Sequence, residues 1–234
     1  MNDYRSPYAM PSQIGVRPNA QLSAGFLSQA FGWMFVGLLL TAGVSVLVQF
    51  DSRVAGVARD LFLPAILGQL VLVFAISLGI NRFGATVALG LFFVYAASVG
   101  LTVGLVASAY TLPSVGAAFL SASAMFGGAA VYGATTKRSL ASLGGYLFMG
   151  LIGLLVAMLV NLFIGSGPLG FVISAVGVVI FVGLTAYDTQ RIAAGDLAAR
   201  LGSMEKAAVI GALHLYLDFI NLFLMLLRLF GDRR

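Results

Sequence analysis

Asp218 puts a carboxylate at the midpoint of Ala207–Phe230, a segment otherwise apolar enough to enter a bilayer. An ionised aspartate at the centre of a membrane helix costs roughly 2.5–3.5 kcal/mol on insertion scales, so such residues face a bundle interior and serve a function or a partner. The chain holds only eight acidic residues. A second one, Asp188, ends the preceding long apolar segment, within GLTAYDTQRI (183–192). Two carboxylates in one water-poor site do not easily both ionise, so they share a proton. Fully charged, the same pair offers hard oxygen ligands to a cation.

Other polar residues gather around the pair. His214, Asp218 and Asn221 recur at i, i+4 and i+7, so they share one helix face. His214 is the sole histidine. It serves either as a hydrogen-bonded packing residue or as a proton relay. Thr185 stands one turn before Asp188 and is placed to donate to it. Arg82 follows the second apolar segment in GINRFG. It is either a snorkelling surface residue or a counter-ion for the carboxylates. In the second case the second helix becomes a movable gate.

These residues need a frame, and composition defines it. Of 234 residues, 60% are hydrophobic and 9% charged, against about 25% charged in soluble domains. Continuous apolar runs of about 20 residues are long enough to span a bilayer core as helices. Seven occur, at about 26–50, 61–80, 86–108, 112–134, 141–164, 168–188 and 207–230. The fold class is therefore an all-α membrane protein, one seven-helix bundle over residues 23–234 behind a polar, disordered tail at 1–22. The breaks, including Asp51–Asp60 and Thr189–Lys206, are expected as loops. With three polar residues on one face, the last helix belongs at the bundle centre.

Charge and small residues complete the frame. The basic loops favour a cytoplasmic N-terminus, and the net charge of +5 is a topology signal, with no nucleic acid implied. The side of the C-terminus stays open, because Arg228, Arg233 and Arg234 oppose the other loops. Gly116, Ala117, Ser121, Ser123, Gly127 and Gly128 are expected to let helices approach, and GLTVG (100–104) to pack within the chain. Cysteine is absent, which removes thiol chemistry and disulfides.

Four blocks carry a resemblance: FGWMFVGLLLTA (31–42), YGATTKR (132–138), FVGLTAYDTQRI (181–192) and GALHLYLDFINLFLMLLRLFG (211–231). Over residues 20–234 the chain resembles the bacterial branch of the Bax inhibitor-1 (transmembrane Bax-inhibitor-motif) family. That resemblance implies seven helices, with the C-terminal one central and surrounded by the other six. It also implies an aspartate pair, here Asp188 and Asp218, that senses pH and transiently binds calcium in a leak. Arg82 is placed like the family's second-helix arginine that engages the pair. Some bacterial relatives are linked to a membrane AAA protease.

The expected function is a pH-sensitive calcium leak in the bacterial inner (plasma) membrane, with the lipid bilayer and calcium ions as partners and no cofactor. The alternative is a non-transporting regulator of a membrane protease complex. An enzyme is not expected. AYD (186–188) resembles half of a presenilin-type signature, but the GxGD half is missing, and serine-protease and HExxH motifs are absent.

Overall fold

A computed structural model describes residues 20–234, with side chains from Gly25 onward. Of the expected polar tail, residues 1–19 lie outside the described residues. The described residues form nine helices: α1 (Ala20–Phe50), α2 (Ser52–Asp60), α3 (Phe62–Gly79), α4 (Ala85–Ser108), α5 (Leu112–Thr135), α6 (Ala141–Ile164), α7 (Gly167–Ala193), α8 (Asp196–Leu201) and α9 (Met204–Phe230). Seven of these, all but α2 and α8, are long and apolar enough to cross a membrane. The chain is an all-α, multi-pass membrane protein.

The seven expected segments fall on these seven helices, but two expected loops prove helical. In Asp51–Asp60 the Asp51 carboxylate caps α2, accepting from the backbone N–H of Arg53 at 2.8 Å and Val54 at 3.4 Å. The short helix buries Ala55 and Ala58 and exposes Arg53 and Arg59. A polar average hides such an interfacial helix, because its two faces cancel. In Thr189–Lys206, α7 continues to Ala193, and α8 lies between Gly195 (φ 75°) and Gly202 (φ 62°). Both glycines take a left-handed backbone that side chains disfavour. Ser203 then caps α9 by accepting from Lys206 N–H. Asp188 therefore sits inside a helix and not at its end.

Helix α9 forms the core. Most of its residues are buried, including Tyr216 and Leu222 at 0% exposure. Helices α1, α4, α5 and α7 pack directly on it, while α3 leans on α4 and α6 on α7 as an outer row. The apolar side of α9 meets aromatic neighbours: Phe219 stands edge-on to Phe119 and Phe126, at centroid distances of 5.6 and 5.5 Å.

Glycines set the closest approaches. A Cβ on Gly100 would stand 2.9 Å from the Thr41 carbonyl oxygen, and one on Gly104 3.0 Å from Ser45 Cα. GLTVG thus packs within the chain, against α1. The α5 expectation needs correction. Gly116, Gly127 and Gly128 have open space where a side chain would go, and Ala117 and Ser121 are exposed. The close approach of α5 comes instead at Gly133, whose Cβ would collide with the Ala186 backbone of α7.

Hydrogen bonds fix which links share an end of the bundle. At one end, Gln190 Nε2 donates to Arg138 O at 2.9 Å, and Lys206 Nζ to Asn81 O at 3.4 Å. The α3–α4, α5–α6 and α7–α9 links meet there. At the other end, Thr111 N–H donates to Asp232 O and Arg234 N–H to Ala109 O, both at 3.0 Å. The C-terminus is therefore tied to the α4–α5 link, as seven crossings require of a chain that starts at the opposite end.

Candidate functional site

Helices α7 and α9 run antiparallel in one register. Gly177 lies against Met225, Asp188 against His214, and Ile192 against Gly211. His214 precedes Asp218 by one turn, so Asp188 lies about 6 Å along the axis from the level of Asp218. Residues Leu184 and Thr185 fall level with Asp218 itself.

Asp218 is 4% exposed, and its Oδ2 is fully enclosed without a hydrogen-bond partner. Buried polar atoms without partners are rare in folded proteins and mark places that need an explanation. Asp188 lies on the facing helix, level with His214 and so one turn of α9 from Asp218. Its own side chain is 13% exposed, toward the α8 end. The two carboxylates thus lie about one helical turn apart along the α7–α9 seam, with Asp218 Oδ2 enclosed and Asp188 slightly exposed.

Asp188 is flanked by a guanidinium and an imidazole. Arg191 Nη1 lies 3.8 Å from Asp188 Oδ1, and His214 Nδ1 lies 3.7 Å from the same oxygen. At these lengths the contacts are charge interactions and not hydrogen bonds. The Arg191 guanidinium also rests over the Tyr187 ring, 5.5 Å from its centroid. His214 is 30% exposed.

Each remaining expected residue has a definite place. Thr185 is fully buried, but its hydroxyl donates to Phe181 O at 2.8 Å, one turn back. A hydroxyl has one proton, and within a helix the preceding carbonyl takes it. Thr185 is therefore not the donor to Asp188. Asn221 spends one amide proton on Leu217 O at 2.8 Å and is half-buried. Arg82 is exposed on the α3–α4 link and makes no ion pair among the described residues. Arg191 and His214 occupy the position beside Asp188 that the sequence offered to Arg82.

Two contributors escape a sequence reading. Thr189, fully buried beside Asp188, has a hydroxyl oxygen without a partner. Tyr216 bonds Thr41 Oγ1 at 2.6 Å, and the Thr41 hydroxyl faces the Ala96 carbonyl at 2.8 Å. The Gly37 carbonyl, one turn back, also lies 3.0 Å from that hydroxyl; carbonyls only accept, so Thr41 shares its one proton between the two and Tyr216 donates to Thr41. This relay ties α9 to α1 and α4. Threonine and tyrosine in a membrane segment carry no spacing signal for such a link. Arg191 did have one: it follows Asp188 at i+3.

With this geometry in hand, comparison with known proteins is informative. The family model described as "Inhibitor of apoptosis-promoting Bax1" matches residues 23–234. The chain belongs to the Bax inhibitor-1 family. Family relatives include the Escherichia coli "Inner membrane protein YbhL", 43% identical over 230 residues, covering 94% of this chain and 96% of that protein. An "Uncharacterized protein" of Deinococcus radiodurans is 44% identical over 209 residues, 89% of this chain and 90% of its own. One of Borreliella burgdorferi is 42% identical over 214 residues, 89% and 92% respectively. As a Bax inhibitor-1 protein the chain carries Asp218 on its central helix α9 and Asp188 on α7, the helix that packs most extensively on α9.

Proposed function

We propose that this protein is a pH-sensitive calcium leak in which Asp188 and Asp218 form both the ion site and the proton site. It is a multi-pass protein of the inner (plasma) membrane, as the name of the YbhL relative also states. The observation that carries the proposal is the sealed, partnerless Oδ2 of Asp218, one helical turn along the α7–α9 seam from Asp188. That oxygen can receive a proton or a metal ion, and the two compete.

At neutral pH the two carboxylates attract a cation entering from the α8 end, expected to be cytoplasmic. Calcium takes about six to eight oxygen ligands, so water and backbone carbonyls must supply the rest. Among the described residues no cluster of three acidic, histidine or cysteine side chains is placed to hold a metal. Such a donor set suits transit and not storage. Acidification adds a proton to the pair, which removes the attraction for a cation. Beyond the pair, half-exposed His214 and Asn221 and exposed Arg228 follow one face of α9 toward the C-terminal end. The gate is α3, which like α6 lies in the outer row with little of its surface buried, and which has Arg82 just past its inner end.

Purified protein in liposomes loaded with a calcium indicator tests this. Flux is expected at about pH 7.5 and suppressed near pH 6, inside the range where histidine changes charge. Absence of calcium movement at every pH between about 5 and 8 would overturn the proposal.

A further inference from the structure

The C-terminal end of the bundle holds a second polar feature, far from the aspartates. A recess of about 710 Å³ opens between the ends of α4, α6, α7 and α9. Arg228, in the last turn of α9, and Arg233, in the tail, both line it. Among the described residues neither arginine forms an ion pair, and the recess is lined by no carboxylate.

Its other polar walls present donors. Asn161 Oδ1 is occupied by the Ser166 N–H at 3.1 Å, which leaves the amide NH₂ free, and that NH₂ lies against Gly170. Ser166 Oγ accepts from Leu169 N–H at 3.3 Å, so its own proton is available. Gly165, Gly167 and Gly170 keep the wall between them bare of side chains.

Arg233 is held in place before any ligand arrives. Its guanidinium lies over the Tyr110 ring at 5.8 Å, and the backbone on either side is bonded to Thr111 and Ala109. Holding a long cationic side chain in advance reduces the ordering cost of binding. Two planar forks with several added N–H and O–H donors fit a group with several acceptor oxygens and negative charge, which is a phosphate.

We propose that this recess binds the phosphate of an anionic phospholipid headgroup. A lipid is favoured over free phosphate because exposed Phe171 and half-buried Val106 line the same recess, giving acyl chains an apolar flank. The site also lies at the ends of membrane-spanning helices, at headgroup level.

The full chain in a neutral maltoside detergent is titrated with dioleoylphosphatidylglycerol, with inorganic phosphate, or with dioleoylglycerol, which lacks the phosphate. Lipid binding is followed by native mass spectrometry and thermal unfolding. Phosphatidylglycerol is expected to bind and raise Tm, and dioleoylglycerol to do neither. The R228Q/R233Q double variant should weaken phosphatidylglycerol at least about tenfold, the loss of one charge-assisted contact. Circular dichroism of that variant without lipid establishes that it folds. Should it not fold, R228K/R233K keeps the charges but loses the forks, and a reduced lipid shift is then expected. An equal affinity in the folded variants, or equal binding of dioleoylglycerol, overturns the site. A full shift by inorganic phosphate alone overturns the lipid assignment and leaves a phosphate site.

Discussion

At the scale of single residues, a sealed carboxylate has two possible purposes, and they predict opposite stabilities. If Asp218 served as a structural hydrogen-bond acceptor, removing its charge would weaken the bundle. Its Oδ2 has no donor, and an unpaired buried charge opposes folding. Asp218→Asn keeps the shape, so at about pH 7.5 its Tm in detergent should equal or exceed that of the parent, while acid suppression of flux disappears. A drop of several degrees would instead mark Asp218 as a structural bond. His214 acts on the other member of the pair. A charged imidazole 3.7 Å from Asp188 competes with an incoming cation for that carboxylate. His214→Gln should therefore raise calcium flux at about pH 6 toward its value at pH 7.5. An unchanged acid block in this variant would confine proton sensing to the aspartates.

At the scale of helices, the membrane segments were legible because twenty apolar residues in a row admit one solution in lipid, a helix with every backbone group bonded internally. The central place of α9 was legible for a related reason, since the face carrying His214, Asp218 and Asn221 cannot turn to hydrocarbon. What the sequence hid was the partner of each small residue. Gly104 and Gly128 look alike in the chain, yet one meets Ser45 Cα and the other meets nothing within 4 Å. Contact depends on the rotation of each helix about its axis, and a helix apolar all round does not encode that rotation. The same blindness assigned Thr185 to Asp188, when its proton goes back to Phe181. Gly104→Val should cost about 1–3 kcal/mol through overpacking of the α1–α4 seam, while Gly128→Val should leave Tm within about a degree. The relay from α9 is separable from that seam. Tyr216→Phe removes its donor to Thr41 and should cost about 1 kcal/mol, seen as a lower Tm with calcium flux retained.

At the scale of the whole molecule, the bundle divides into a fixed core and a loosely held rim. Helices α1, α4, α5, α7 and α9 share close seams, whereas α3 leans on α4 with little of its surface buried. Its polar tie inside the membrane is one contact, Gln69 Nε2 to Thr102 Oγ1 at 3.3 Å. A side-chain contact of this kind contributes only about 1 kcal/mol, so α3 is held mainly by the packing of Leu72, Val73, Ile76 and Ile80, and it is held by α4 alone among the long helices. Arg82 rides on the link just past α3, at the same end of the bundle as the water-accessible Asp188, and any swing of α3 carries it. A gate built this way must move to respond to pH. The chain has no cysteine, so introduced thiols react without competition. Joining Gln69→Cys to Thr102→Cys with a short, reducible bifunctional reagent pins α3 to α4. Calcium flux in liposomes should then become the same at about pH 6 and 7.5, and reduction of the linker should restore the difference. A pinned protein that still closes in acid would place the gate elsewhere, between the aspartates and the C-terminal end of α9.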